Sequence, residues 1–197
     1  MYFFLFLISC LSFQEDQATE DNWLTIKPEN ARAAVRMPFE PIHRQRPFEA
    51  VRDQPSNIHM YLATTPDKKK SFVFAYHDLN EKIRDKKHEK TVLDGAVEGA
   101  KGPYLGDLIT HKEIVKEGNR GRDFTIIVNQ NGSLIKIKQR VLLVKQRLYQ
   151  LNVVCAQAEF DELEASKFLD SFVLEPSSSS SKRSTQPRAA RPGSQDK

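Results

Sequence analysis

The stretch from Phe124 to Cys155 constrains this chain most. Phe124-Thr125-Ile126-Ile127-Val128 and Leu134-Ile135-Lys136-Ile137 are strand-forming runs separated by Asn129-Gln130-Asn131-Gly132-Ser133. Asn-Gly accepts positive φ at both central positions of a tight hairpin, so the two runs pair antiparallel. The second run extends to Val144, and Lys145-Gln146 turns it into Leu148–Cys155. In that last strand Tyr149, Leu151, Val153 and Cys155 alternate onto one face. The sequence thus predicts a three-stranded antiparallel meander, with Cys155 as a small core residue and not a nucleophile.

Other elements fall on either side. Trp23–Ile26 and Ala31–Arg36 read as opening strands, and Pro38, Pro41, Pro47 and Pro55 as marks of a long irregular connection. Ile58–Leu62 and Phe72–Tyr76 alternate as further strands around a Thr65-Pro66-Asp67 turn. Thr91 with Asp94 reads as a capping box. Leu93, Ala96, Val97 and Ala100 then share one helical face, and Gly102-Pro103 stops the helix. The small Gly95, Ala96, Gly99 and Ala100 suggest close approach to a sheet. A final helix, about Glu159–Ser171, offers Phe168, Leu169 and Phe172 to the core. Residues 22–175 are therefore expected to form one α+β domain: a central antiparallel sheet packed by two or more helices. A chain of that size buries roughly two-thirds of its unfolded surface.

The ends differ from this middle. Residues 1–10, Met-Tyr-Phe-Phe-Leu-Phe-Leu-Ile-Ser-Cys, are apolar and uncharged. They read as a signal peptide. Leu7-Ile8-Ser9-Cys10 resembles the bacterial lipobox, which makes Cys10 the lipid-attachment residue and residues 11–21 a flexible tether. Residues 176–197 hold Ser, Pro, Arg and Gln without a large apolar side chain and read as a disordered tail. The tail carries five cations against Asp196, which equals the net charge of +4 of the whole chain. Residues 1–175 therefore sum to zero, and no specific nucleic acid is expected as partner. A polyanion binder working through the tail is one alternative.

Several chemistries lack their residues. Two cysteines make neither a disulfide scaffold nor a tetrahedral zinc site. None of the five histidines forms a His-x-x-x-His pair, and no Gly-x-Ser-x-Gly elbow or phosphate-cradling glycine loop occurs. No catalytic residue, metal or cofactor is assigned, and the chain is read as a non-enzyme. The enzymatic alternative is a small envelope enzyme with a site near His59, His77 and Asp78. The binding candidate is the alternation of Lys136, Lys138 and Arg140, which puts three cations on one side of a strand. They either face water, as one-sided sheets do, or line a groove for an anionic ligand or acidic partner. Charge reversal at Lys136 and Lys138 is expected to leave folding intact.

Four segments carry a resemblance: Leu93-Asp94-Gly95-Ala96, Gly121-Arg122-Asp123, Arg147-Leu148-Tyr149-Gln150-Leu151 and Phe168-Leu169-Asp170-Ser171-Phe172. Their order is similar to the PsbP-like group, whose fold is a central antiparallel sheet packed by helices and which includes exported bacterial proteins. The resemblance covers residues 90–175 well and 22–80 in outline. It implies binding, accessory or assembly roles at membranes and transfers no functional residue. Together with the N-terminal segment it points to an exported, membrane-anchored lipoprotein of the bacterial cell envelope. Its partners would be the membrane, through the lipid, and an envelope protein or anionic ligand.

Overall fold

The computed structural model describes residues 22–48, 56–101 and 106–175. The signal peptide with Cys10, the tether 11–21 and the tail 176–197 lie outside the described residues. Within them, short connections between alternating runs build two antiparallel meanders. The first is β3 (Ile42–Phe48), β4 (Ser56–Thr64) and β5 (Lys70–Asp78). The second is β6 (Asp107–Lys116), β7 (Asn119–Gln130), β8 (Ser133–Val144) and β9 (Arg147–Ala156). They join where β5 pairs antiparallel with β9, from Lys70 opposite Cys155 to Asp78 opposite Arg147. The result is one seven-stranded sheet in the order β3-β4-β5-β9-β8-β7-β6. Asn131 (φ 54°) and Gly132 (φ 86°) form the expected tight turn between β7 and β8.

Each face of this sheet is covered by its own layer. On one face Phe72, Phe74, Leu142, Tyr149, Leu151 and Val153 form a core with Phe168, Leu169 and Phe172 from α2 (Glu162–Asp170) and its C-terminal flank. A small sheet of β1 (Leu24–Ile26), β2 (Ala33–Met37) and β10 (Val173–Leu174) closes that side. On the other face Phe124, Ile126, Val141 and Leu143 pack against Leu93 and Val97 of α1 (Lys86–Lys101). The alternation of each strand sends its odd and even residues into two separate cores.

Arginines lock these layers in place. Arg122, 2% exposed on β7, donates from Nε and Nη2 to Asp94 Oδ1 of α1 at 3.1 and 2.9 Å and from Nη1 to its neighbour Gly121 O. It also meets Glu113 of β6 at 3.1 Å. The next residue, Asp123, points to the opposite face and takes a two-pronged contact from Arg140 of β8 at 2.7 and 2.8 Å. Arg140 reaches on to Leu169 O and Asp170 Oδ1 of α2, both at 2.8 Å. Arg147 grips Asp78 across β5–β9 at 2.6 and 2.7 Å, and Tyr149 donates its hydroxyl to Ala31 O at 2.7 Å. The four segments that resemble the PsbP-like group supply much of this bracing.

The structure corrects the sequence reading in several places. The proline-marked connection contains the strand β3, whose Pro47 is tolerated because β3 is an edge strand. The meander has a fourth strand, β6, which lacks a regular apolar alternation because it is the opposite edge and is largely exposed. Helix α1 starts at Lys86, five residues before Thr91. Asp85 Oδ1 accepts from His88 N at 2.8 Å, and Thr91 lies inside the helix, donating to Lys87 O. Asp94 is a clamp partner of Arg122 and not a capping residue. Ala96 and Ala100 pack toward the sheet, but a Cβ on Gly95 or Gly99 would meet nothing within 4 Å.

The glycines give a direct check. At Gly121 a Cβ would sit 2.3 Å from Val141 O and 2.7 Å from Leu142 Cδ2, so the strands could not keep their spacing. Gly121→Ala is expected to cost about 3 kcal/mol by overpacking. Gly95→Ala, in open space on a helix, is expected to stabilise by about 1 kcal/mol. Urea midpoints at constant m-value measure both.

Candidate functional site

The cationic stripe of β8 faces α2. Lys136, Lys138 and Arg140 share the side of the sheet that carries Leu142, as their alternation requires. Lys136 and Lys138 converge on one carboxylate, Glu162 in the first turn of α2, with Lys138 Nζ 2.7 Å from Oε2. Lys136 Nζ also lies 4.2 Å from the centroid of the Phe160 ring. The Asp161 side chain caps α2 by accepting from Leu163 N and Glu164 N, which fixes where Glu162 projects. Hydrogen bonds from Lys136 and then Lys138 hold the Glu162 carboxyl below its ordinary range. Arg140 is half-buried, and its desolvation opposes its charge, but its bonds to Asp123 and Asp170 prevail and raise its pKa.

Beside α2 the same face opens into a groove of about 610 Å³. Asp107, Thr110 and Lys112 of β6, Asp123 and Thr125 of β7, Lys136 and Lys138 of β8, and Glu162 of α2 line it. Lys112 has no ion-pair partner among the described residues. Three cations, Lys112, Lys136 and Lys138, and three carboxylates, Asp107, Asp123 and Glu162, line the groove; Asp123 is engaged by Arg140, and the two ammonium groups that meet Glu162 leave a local positive charge there. Arg140 is committed to the α2 clamp and is absent from the lining. The contacts also change one expectation. Charge reversal at Lys136 and Lys138 would crowd three carboxylates together and loosen α2, so Lys→Gln is the informative substitution.

The enzymatic candidates do not meet. His59 pairs in register with Tyr76, so His59, Tyr76 and Asp78 share one face, while His77 points to the other. Asp78 is held by Arg147, whose hydrogen bonds keep its carboxyl below the ordinary range. Burial lowers the pKa of His77, with Asp78 opposing. Cys155 is a buried free thiol, and burial raises its pKa. Its core placement agrees with the sequence reading. Among the described residues no group of three or more His, Cys, Asp or Glu side chains could hold a metal.

Instead, strand pairing brings together residues that sequence spacing did not link. His43 of β3 and His59 of β4 lie side by side, with His43 Nε2 3.4 Å from His59 Nδ1. His43 stacks on Tyr61 and His59 on Tyr76, at centroid distances of 4.5 and 4.9 Å. Burial raises the Tyr76 hydroxyl to a pKa of about 12. The hidden signal was β3 itself: once 42–48 is a strand, its antiparallel register makes the two histidines neighbours.

No protein-family model and no curated protein matches this sequence. Solved structures do match the fold. The solution structure of cyanobacterial PsbP (CyanoP) from Synechocystis sp. PCC 6803 superposes with a TM-score of 0.55 at 10% identity. The match covers 85% of this chain and 98% of that one. A protein of unknown function, PA94, from Pseudomonas aeruginosa aligns over 70% of this chain and 85% of its own at 16% identity, with a TM-score of 0.39. The fold is PsbP-like, as the four sequence segments suggest.

His77 makes stability depend on pH. Its folded pKa lies below 6.5, so the unfolded chain takes up the proton first as pH falls. The stability it supports is complete above pH 6.5 and is lost as pH drops toward its folded value. His59 shifts in the same direction, by burial first and then by His43. Imidazole NMR is expected to show His77 titrating below 6.5. Urea stability should fall between pH 7 and 5, and less steeply in His77→Gln.

Proposed function

We propose that this chain is a non-enzymatic binding or accessory module of the bacterial cell envelope. It is exported, held at the membrane by a lipid on Cys10, and docks an acidic segment of an envelope protein in the groove beside α2. The observation that carries this reading is the convergence of Lys136 and Lys138 on Glu162 in the lining of an open groove that Lys112 also lines. The Glu162 contact displays the mode of recognition: one carboxylate between two ammonium groups. A partner carboxylate competes for the same pair or joins it through Lys112. Long-range attraction between such groups is screened by salt, so docking weakens as ionic strength rises.

Calorimetry of the full chain with a polyglutamate peptide tests the groove. Lys136→Gln/Lys138→Gln is expected to weaken binding at least tenfold. Glu162→Gln, which frees both lysines, is expected to strengthen it. Equal affinity in all three proteins would sink the reading. The anchor is tested separately by the intact mass of the N-terminal peptide, taken from membranes of a bacterial host. Cleavage before Cys10 with attached acyl chains is expected. A peptide beginning at Met1 with a free thiol would overturn export and anchoring.

A further inference from the structure

At the other end of the same sheet face, β3 pairs with β4 so that His43 lies opposite Tyr61 and Gln45 opposite His59. The two histidines are diagonal neighbours across an edge strand pair. His43 is exposed and His59 half-buried. Their rings are parallel within 2°, with centroids 5.6 Å apart and the nearest nitrogens 3.4 Å apart. Neither imidazole makes another hydrogen bond within the described residues.

From this geometry we propose that His43 and His59 form a binding site for a borderline transition-metal dication, Zn²⁺ or Ni²⁺. Two nitrogens bound at about 2.0–2.1 Å to a tetrahedral ion stand about 3.3–3.4 Å apart, which is the spacing observed. Imidazole suits zinc and nickel by ligand type. At the contact between the two nitrogens, the ion takes the place of a proton. The neutral ring that donates in this contact changes tautomer, its proton leaving that nitrogen to solvent while the ring's other nitrogen takes one up, so that each ring offers a lone pair to one N–metal bond and no net proton is lost.

The ligands are pre-positioned. Tyr61 backs the His43 ring and Tyr76 backs the His59 ring. Such supporting shells reduce the ordering cost of binding. No third protein ligand joins them among the described residues, so the remaining coordination positions hold water or a group from a partner. Two charged neighbours act in opposite senses. Arg147, over the Tyr76 ring, disfavours a second cation, and Asp78, paired with Arg147, offsets it. The site is separate from the groove beside α2 and does not depend on it.

The test is calorimetric titration of Zn²⁺ into the full chain carrying Cys10→Ser, which removes the thiol outside the described residues. One equivalent is expected to bind, and His43→Gln and His59→Gln should each weaken it at least tenfold. Both substitutions are at accessible positions, and unchanged thermal unfolding without metal verifies the fold. In parallel, paramagnetic Ni²⁺ should broaden NMR signals of β3 and β4 before all others. Absence of binding, equal affinity in the variants, or broadening centred elsewhere would overturn the proposal.

Discussion

Arg122 and Asp123 are consecutive residues of one strand, so they face opposite ways, and that geometry holds the fold together. Arg122 reaches α1 through Asp94 on one face. Asp123 orients Arg140, which reaches α2 through Leu169 O and Asp170 on the other. A buried guanidinium is costly to desolvate, and its attraction to a carboxylate compensates only when its donors are satisfied. Here they are, by forked contacts and backbone carbonyls. Gly121 lets β8 approach closely enough for this arrangement, since any side chain there would strike Val141 O.

The same arrangement positions the groove. Arg140 fixes the C-terminal end of α2, with Lys116 Nζ on Asp170 O at 2.8 Å and the Ser171 hydroxyl receiving Arg36 N at 2.9 Å. These cations and donors suit the negative end of a helix. With that end held, the capped N-terminus of α2 places Glu162 over Lys136 and Lys138. The stripe is thus divided in purpose. Arg140 is structural, and the two lysines stand at the junction between the helix and open surface.

Much of the domain was legible because its signals are local. Asn131-Gly132 gave the hairpin, alternation gave β4, β5 and β9, and the period of Leu93, Val97 and Ala100 gave α1. The elements that escaped are those whose stability comes from partners. β3 contains Pro47 and two arginines, and β6 is largely exposed, so neither shows a buried pattern. Thr91 resembles a cap, but Asp85 satisfies the first turn and Arg122 claims Asp94. At the sites, alternation correctly placed Lys136, Lys138 and Arg140 on one face, but not what lies above them, since Glu162 is distant in sequence. The His43–His59 contact depends on the pairing of a strand that the prolines concealed.

If the two clamps act on separate faces, loosening one should leave the other layer intact. Native-state hydrogen exchange on Arg140→Gln measures this directly. Independent clamps predict lost protection across α2 (Glu162–Asp170), with the amides of α1 (Lys86–Lys101) unchanged. Equal loss of protection in both helices would contradict that division and make the domain a single cooperative unit in which neither arginine has a separate role.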